Sequence, residues 1–267
     1  MGTKKLIIAN WKMNLTISES SLLVHKLDAN ISTRRSVEVV LAPSTLALQS
    51  IFLQVDHRKF KLAAQNFYWR DTGAYTGEVS AHQLRGMVKY ALVGHSERRH
   101  VFGERGRDIG KKVQAAVRNQ ITPVLCVGET ATERSVGETV AVLQDQIIEG
   151  LHGLTAEDME RVVVAYEPVW AISAGKDFAS HKGATPRDCE EAHAAIRRQI
   201  ASLFGKKVAD ATPVLYGGSV SADNANSYLS ARGVDGLLVG GASLSADEFS
   251  IICDIAFEVA KLDQKEK

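Results

Sequence analysis

The stretch Val162-Val163-Val164-Ala165-Tyr166-Glu167-Pro168-Val169-Trp170 decides how the chain is read. The run from Val162 to Tyr166 is too short for a free-standing helix and suits a strand covered on both faces, as strands of a parallel sheet are. Proline ends it because proline has no N–H to give to a sheet ladder. Glu167 therefore sits at the carboxyl end of a strand, beside a restrained loop. A carboxylate held there can serve as a positioned general base, although it can equally do no more than finish the strand.

Working outward, runs of the same kind recur at Leu6 to Asn10, Val37 to Ala42, Lys61 to Gln65, Tyr90 to Val93, Thr122 to Val127, Arg161 to Tyr166, Thr212 to Tyr216 and Gly236 to Val239. Helical patterns fall between them at 18–29, 44–54, 80–88, 105–119, 136–150, 187–204, 222–230 and 246–261. Ser18, Ser44, Ser80, Thr155, Thr185, Ser221 and Ser245 are candidate caps, and Pro186 directly after Thr185 strengthens one of them. Eight such units in 267 residues match the size of an α/β fold of the parallel (β/α)8 barrel class. With no proline-rich or low-complexity linker, residues 1–267 read as a single barrel domain. A doubly wound sheet is the alternative, but no G-x-G-x-x-G follows the first run.

Composition narrows the partners. The chain is 45% hydrophobic and carries 32 Lys plus Arg against 31 Asp plus Glu, a formal charge of +1. Its basic pairs, among them Lys4-Lys5, Arg34-Arg35 and Lys206-Lys207, are scattered, so no nucleic-acid groove is expected. Neither a signal peptide nor an apolar run of about 18 residues is present, so no membrane partner is expected. Cys126, Cys189 and Cys253 lie far apart, which suits a reducing, cytoplasmic compartment and supplies no zinc spacing. No motif calls for a metal or an organic cofactor.

In a barrel the carboxyl ends of the strands converge at one rim. That rim would gather Asn10 and Lys12, the run Gly94-His95-Ser96-Glu97-Arg98-Arg99, Glu167, Gly217-Gly218-Ser219 and Gly240-Gly241. The glycine pairs let backbone N–H groups approach an anion, although each could be a plain turn. Arg98 and Arg99 are read as structural partners of acids such as Glu104 or Glu129.

Several ordered stretches resemble the triosephosphate isomerase family: Ala9-Asn10-Trp11-Lys12-Met13-Asn14, Val93 to Arg99, Cys126-Val127-Gly128-Glu129, Ala165 to Ile172, Tyr216-Gly217-Gly218-Ser219-Val220 and Val239 to Leu244. The segments Ala64 to Phe67 and Gly73 to Glu78 share the likeness, which runs from about residue 6 to 260. The resemblance implies interconversion of dihydroxyacetone phosphate and D-glyceraldehyde 3-phosphate, with triose phosphates as the small-molecule partners. It implies Glu167 as the base, His95 as a neutral imidazole acting on the carbonyl, and Lys12 as a fixed positive charge. Asn10 is expected to fix the lysine or donate to the oxyanion, Glu97 to order Lys12, and Ser96 to hold Glu167 before the site closes. The phosphate grip is expected near Ser173, at Ser219 and at Gly240-Gly241. Pro168, Val169, Trp170, Ala171, Ile172, Ala174, Gly175 and Lys176 would form a lid that excludes water, and Cys126 would pack beneath the mouth.

Departures from the family pattern fall on that lid. Ser173-Ala174-Gly175-Lys176 stands where the family has Gly-Thr-Gly-Lys, and residues 180–183 read as an insertion, taken as a surface loop. A serine in place of a glycine is expected to strain the closed lid. The run from Phe67 to Glu78 is too long and aromatic for a usual connection of about two to six residues. The resemblance makes it a dimer loop, with Thr76 reaching the second subunit of a homodimer; the alternative is a loop folded on its own barrel. Another phosphosugar barrel enzyme, or a binding role on the same scaffold, would be the competing functions.

Overall fold

Strands buried on both faces must send alternate residues into two apolar environments, and this chain does so. In the computed structural model, which describes residues 4–32, 35–172 and 183–265, eight parallel strands close a barrel in chain order. They are β1 (Lys5–Asn10), β2 (Val37–Ala42), β3 (Phe60–Ala64), β4 (Tyr90–Val93), β5 (Thr122–Val127), β6 (Val163–Tyr166), β7 (Val214–Tyr216) and β8 (Gly236–Val239). β1 pairs with both β2 and β8, which closes the ring. One buried cluster, including Leu6, Ile8, Leu92, Val124, Ala165, Leu215 and Leu238, fills the barrel. The intervening positions, such as Ile7, Val93, Leu125, Val164 and Val239, pack outward with the helices.

The helices between these strands are α1 (Ile17–Asn30), α2 (Thr45–Gln54), α3 (Ala81–Leu84), α4 (Ser96–His100), α5 (Gly106–Arg118), α6 (Ala131–Ser135), α7 (Thr139–Gly150), α8 (Pro186–Phe204), α9 (Lys206–Ala211), α10 (Ala225–Leu229) and α11 (Ala246–Lys265). Thr185 caps α8 through a capping box with Asp188, and Ser80 caps α3 in the same way with Gln83.

Some expected boundaries are corrected. Thr16 rather than Ser18 caps α1, because Glu19 stands three residues on and returns the bond. The helix expected over 80–88 stops at Leu84, and Gly86 turns the chain at φ +82. Gly137, at φ +79, separates α7 from α6, which the periodicity did not suggest. Gly205, at φ +88, similarly divides α8 from α9. β7 starts at Val214 because Pro213 cannot donate, and a 3-10 turn over Asp158–Arg161 delays β6.

Behind β6, α8 buries His193 with its Nδ1 3.2 Å from the Gly233 carbonyl and its Nε2 3.6 Å from the Cys189 sulfur. Burial pulls this imidazole down to about 4 from 6.5. Between those two pH values the unfolded chain binds a proton that the folded chain does not. Stability contributed by neutral His193 is therefore complete above about pH 6.5 and is lost as the pH falls toward 4, by about 3 kcal/mol in all. Urea unfolding at a series of pH values should show this slope in the wild type and a flatter one in His193→Gln.

Candidate active site

The side-chain alternation that fills the barrel also selects its rim. Continuing the inward-facing phase by one step leads from Ile8 to Asn10, from Ala165 to Glu167, from Leu215 to Gly217 and from Leu238 to Gly240. These residues, with Lys12 and His95, line a cavity of about 150 Å3 at the carboxyl ends of the strands. A cavity of about 230 Å3 elsewhere is lined by residues of β2 and of the turn before β3. Among its cations Lys59 pairs with Asp28, Arg58 with Asp56 and Lys4 with Glu38.

Glu167 is fixed from three sides. Its amide donates to the Val127 carbonyl (2.7 Å), the Ser96 amide donates to its Oε2 (2.8 Å), and His95 Nε2 lies 3.1 Å from its Oε1. Room for this comes from glycines on both neighbouring strands. A Cβ at Gly128 would lie 1.7 Å from the Glu167 carbonyl oxygen, and one at Gly217 would lie 3.1 Å from its Cγ.

His95 caps the amino end of α4: its Nδ1 accepts the Glu97 amide at 3.3 Å. With Nδ1 an acceptor, the proton of the neutral ring is on Nε2, facing Glu167. The short helix thus orients the ring as well as presenting its positive end to it.

Lys12 adopts the left-handed region at φ +52, which costs a non-glycine residue roughly 1 kcal/mol or more. Its surroundings hold it there. The Asn10 Oδ1 accepts the Lys12 amide (3.1 Å), Gln65 Nε2 donates to the Lys12 carbonyl (2.9 Å), and Nζ pairs with Glu97 Oε1 (2.7 Å). Asn10 thus grips the backbone of Lys12 rather than its amine. Gln65, which sequence reading treated only as a strand end, is part of the same support.

Ser219 N–H and Oγ–H both donate to the Ala171 carbonyl, at 3.3 and 2.8 Å. The short helix after β8 is a 3-10 turn over Gly241–Leu244, and Gly241 opens onto free space. Of the residues expected to form a lid, Pro168 to Ile172 are described, with a 3-10 turn over Val169–Ala171 and Ile172 on the cavity wall. Ser173, Ala174, Gly175, Lys176, Asp177, Phe178 and the proposed insertion up to Lys182 lie outside the described residues.

The expected partners of Arg98 and Arg99 need correction. Arg98 does face Glu104 (3.4 Å), but Arg99 donates to the carbonyls of Gly94 and Cys126. Glu129, fully buried, instead anchors the segment that follows β6. It accepts from Trp170 Nε1 (2.8 Å) and Tyr166 Oη (3.1 Å), and lies 3.5 Å from Arg134. Arg134 stacks over the Trp170 ring at 4.1 Å and pairs with Asp188 of the α8 capping box. This chain was missed because Glu129 follows β5 as an isolated acid. Cys126 is buried, and burial pushes its thiol well up, so it packs as a neutral group. Among the described residues no three His, Cys, Asp or Glu side chains gather as a metal-binding set.

Fold and site together define a (β/α)8 barrel with a carboxylate, an imidazole and a lysine around one polar cavity at its carboxyl rim. The chain belongs to the triosephosphate isomerase family, whose profile matches residues 5–256. It is 43% identical over 248 residues to a triosephosphate isomerase of Chloroherpeton thalassium, covering 92% of this chain and 96% of the relative. A triosephosphate isomerase of Citrifermentans bemidjiense is 43% identical over 250 residues, covering 93% and 97%. One from Streptococcus mutans is 39% identical over 255 residues, covering 95% and 99%. The protein is accordingly an enzyme.

Since Gly128 allows no Cβ, Gly128→Ala must push the end of β6 outward. A displacement of about 1 Å there should lower turnover by roughly 10²-fold, with a depressed melting temperature but a cooperative transition. Steady-state rates and calorimetry on the purified variant check this.

Proposed function

We propose that this cavity interconverts dihydroxyacetone phosphate and D-glyceraldehyde 3-phosphate, a step of glycolysis and gluconeogenesis, with Glu167 as the base. The observation that carries the assignment is the 3.1 Å approach of His95 Nε2 to Glu167 Oε1 in a cavity that also holds Lys12. A carbon-bound proton beside a carbonyl is weakly acidic, so a base must act while the oxygen that receives the electron pair is stabilised. Glu167 takes the proton from one carbon, the electrons move to the carbonyl oxygen, and Glu167 returns the proton to the neighbouring carbon. His95 supplies Nε2–H to the oxygen that gains charge and relays protons between the two oxygens. Lys12 adds a fixed positive charge beside the same oxygen; Asn10 and Glu97 hold the lysine.

The phosphate falls to Ser219, Gly240 and Gly241, and to Ser173. In this reading the Ser219 donors exchange the Ala171 carbonyl for phosphate oxygens, so substrate binding frees the lid base. Ser96 holds Glu167 until then. Closure of Pro168 to Lys176 excludes water and keeps the enediolate from expelling phosphate. Ser173 makes that closure somewhat less favourable than a glycine would. The catalytic barrel is read as one domain over residues 1–267.

A second copy of the chain completes the reading. Met13, Leu46, Phe102 and the loop bearing Tyr75 and Thr76 all follow the neighbouring strands β1 to β4, and they are exposed, Met13 at 96% and Phe102 at 68%. Large apolar side chains crowded onto one rim favour a homodimer in which Thr76 reaches the partner. The loop is stiffened for this by the Tyr68–Tyr75 ring contact at 4.5 Å and the Tyr68 to Val79 hydrogen bond at 2.8 Å. Three buried cysteine thiols accord with a reducing, cytoplasmic setting, and triose phosphates are its small-molecule partners, with no role for nucleic acid or membrane. Among the described residues no helix is long and apolar enough to cross a membrane.

Purified protein should isomerise D-glyceraldehyde 3-phosphate without added metal or cofactor. Glu167→Asp, which withdraws the carboxylate by about 1 Å, should lose roughly 10²-fold in kcat. A folded wild type without turnover would overturn the assignment. Light scattering should return twice the 29.0 kDa chain mass; a monomer across the working concentration range would overturn the dimer.

A further inference from the structure

The ladder between β4 and β5 ends at the pair Val93 and Leu125. Gly94, at φ +69, then turns the chain away toward His95. Arg99 spans the gap that opens. From α4, its Nε donates to the Gly94 carbonyl (2.8 Å) and its Nη2 to the Cys126 carbonyl (2.9 Å). Gly94 is needed for this fit, since a Cβ there would lie 3.0 Å from that Nη2 and 2.9 Å from Ile109 Cδ1. Among the described residues Arg99 makes no ion pair with a carboxylate, so its role is not that of a surface charge partner.

Both carbonyls adjoin the reacting pair. Gly94 directly precedes His95. Cys126 directly precedes Val127, whose own carbonyl receives the Glu167 amide. The guanidinium is desolvated, which pulls its proton affinity down, and Cys126 and Glu167 are the foremost groups opposing that shift. Because Cys126 is a neutral thiol, the Glu167 carboxylate is the leading anion in its field.

We propose that Arg99 is a positioning residue for proton transfer: by bridging the Gly94 and Cys126 carbonyls it sets the spacing between the His95 turn and the strand end against which Glu167 is bonded. This rests on Glu167 as the base and His95 as its partner. A planar guanidinium suits the task, because two donors in a fixed fork meet two fixed acceptors, whereas a lysine offers one flexible point charge.

The test compares wild type, Arg99→Met and Arg99→Lys in the isomerase assay from about pH 5.5 to 9, with binding of glycerol 3-phosphate, an unreactive ligand of substrate size, and thermal unfolding. Arg99→Met should lose about 10²-fold in kcat while keeping KM and glycerol 3-phosphate affinity within about twofold. Arg99→Lys should recover part of that loss while remaining several-fold slow.

A merely structural arginine would lower the melting temperature and leave kcat per folded site unchanged, and that result overturns the proposal. So does a parallel fall of kcat and glycerol 3-phosphate affinity, which would mean that the whole rim had collapsed. If Arg99→Met does not fold, Arg99→Lys decides alone: wild-type kcat in it overturns the proposal. Glu167→Gln in the same assay separates the two readings. Wild-type turnover there removes the base assignment, whereas an inactive Glu167→Gln beside an unaffected Arg99→Met removes the Arg99 proposal only.

Discussion

The end of β6 lies so close to β5 that no side chain fits between them, and the rest of the site depends on that approach. Gly128 faces the Glu167 carbonyl where a Cβ would stand 1.7 Å away, while the Glu167 amide is bonded to the Val127 carbonyl. Together these contacts fix the backbone of Glu167 before its side chain is considered. With the backbone fixed, two donors from a single turn, the Ser96 amide and His95 Nε2, suffice to orient both carboxylate oxygens. The carboxylate is held by the strand ends on one side and by the amino end of α4 on the other, so its direction does not rely on a flexible loop.

Holding Lys12 in a left-handed conformation has a different logic. The turn at φ +52 folds it back toward Gly240, and the cost is borne by Asn10, Gln65 and Glu97 together. Gln65 also donates to the Ala42 carbonyl, so one side chain ties the ends of β1, β2 and β3 to the strained residue. Glu97 ties the lysine to the helix that orients His95. The cation and the imidazole are therefore placed by one shared support.

Much of this was legible from strand parity alone. Asn10, Glu167, Gly217 and Gly240 each stand two residues beyond an inward-facing apolar residue, and any closed barrel must bring such positions to one mouth. The capping box at Thr16 was equally present in the letters, because glutamate three residues on distinguishes it from Ser18. What the letters could not supply were partners decided by side-chain reach across strands. Arg98 and Arg99 are adjacent and chemically identical, yet one finds Glu104 and the other finds two carbonyls, because they leave α4 about 100° apart. Glu129 was equally opaque. Its donors come from Tyr166 and Trp170, on the next strand and the loop beyond it, and its cation from α6.

The anchoring of that loop couples Ser219 on the cavity rim to Glu167. Glu167 and Ala171 are joined by Pro168, Val169 and Trp170, a segment shortened by a 3-10 turn and restrained at its start by proline. Val169 donates its amide to the Glu129 carbonyl, Trp170 donates to the Glu129 carboxylate, and Ala171 accepts from Ser219. Two links of this short bridge are thus held by Glu129 and the last by Ser219. Withdrawing Ser219 from Ala171 removes one restraint and leaves the Glu129 anchors in place, so the segment has a fixed pivot rather than a free end. Arg134 extends the pivot to Asp188 at the start of α8. One guanidinium therefore links the Trp170 ring, three residues beyond Glu167, to the start of that helix.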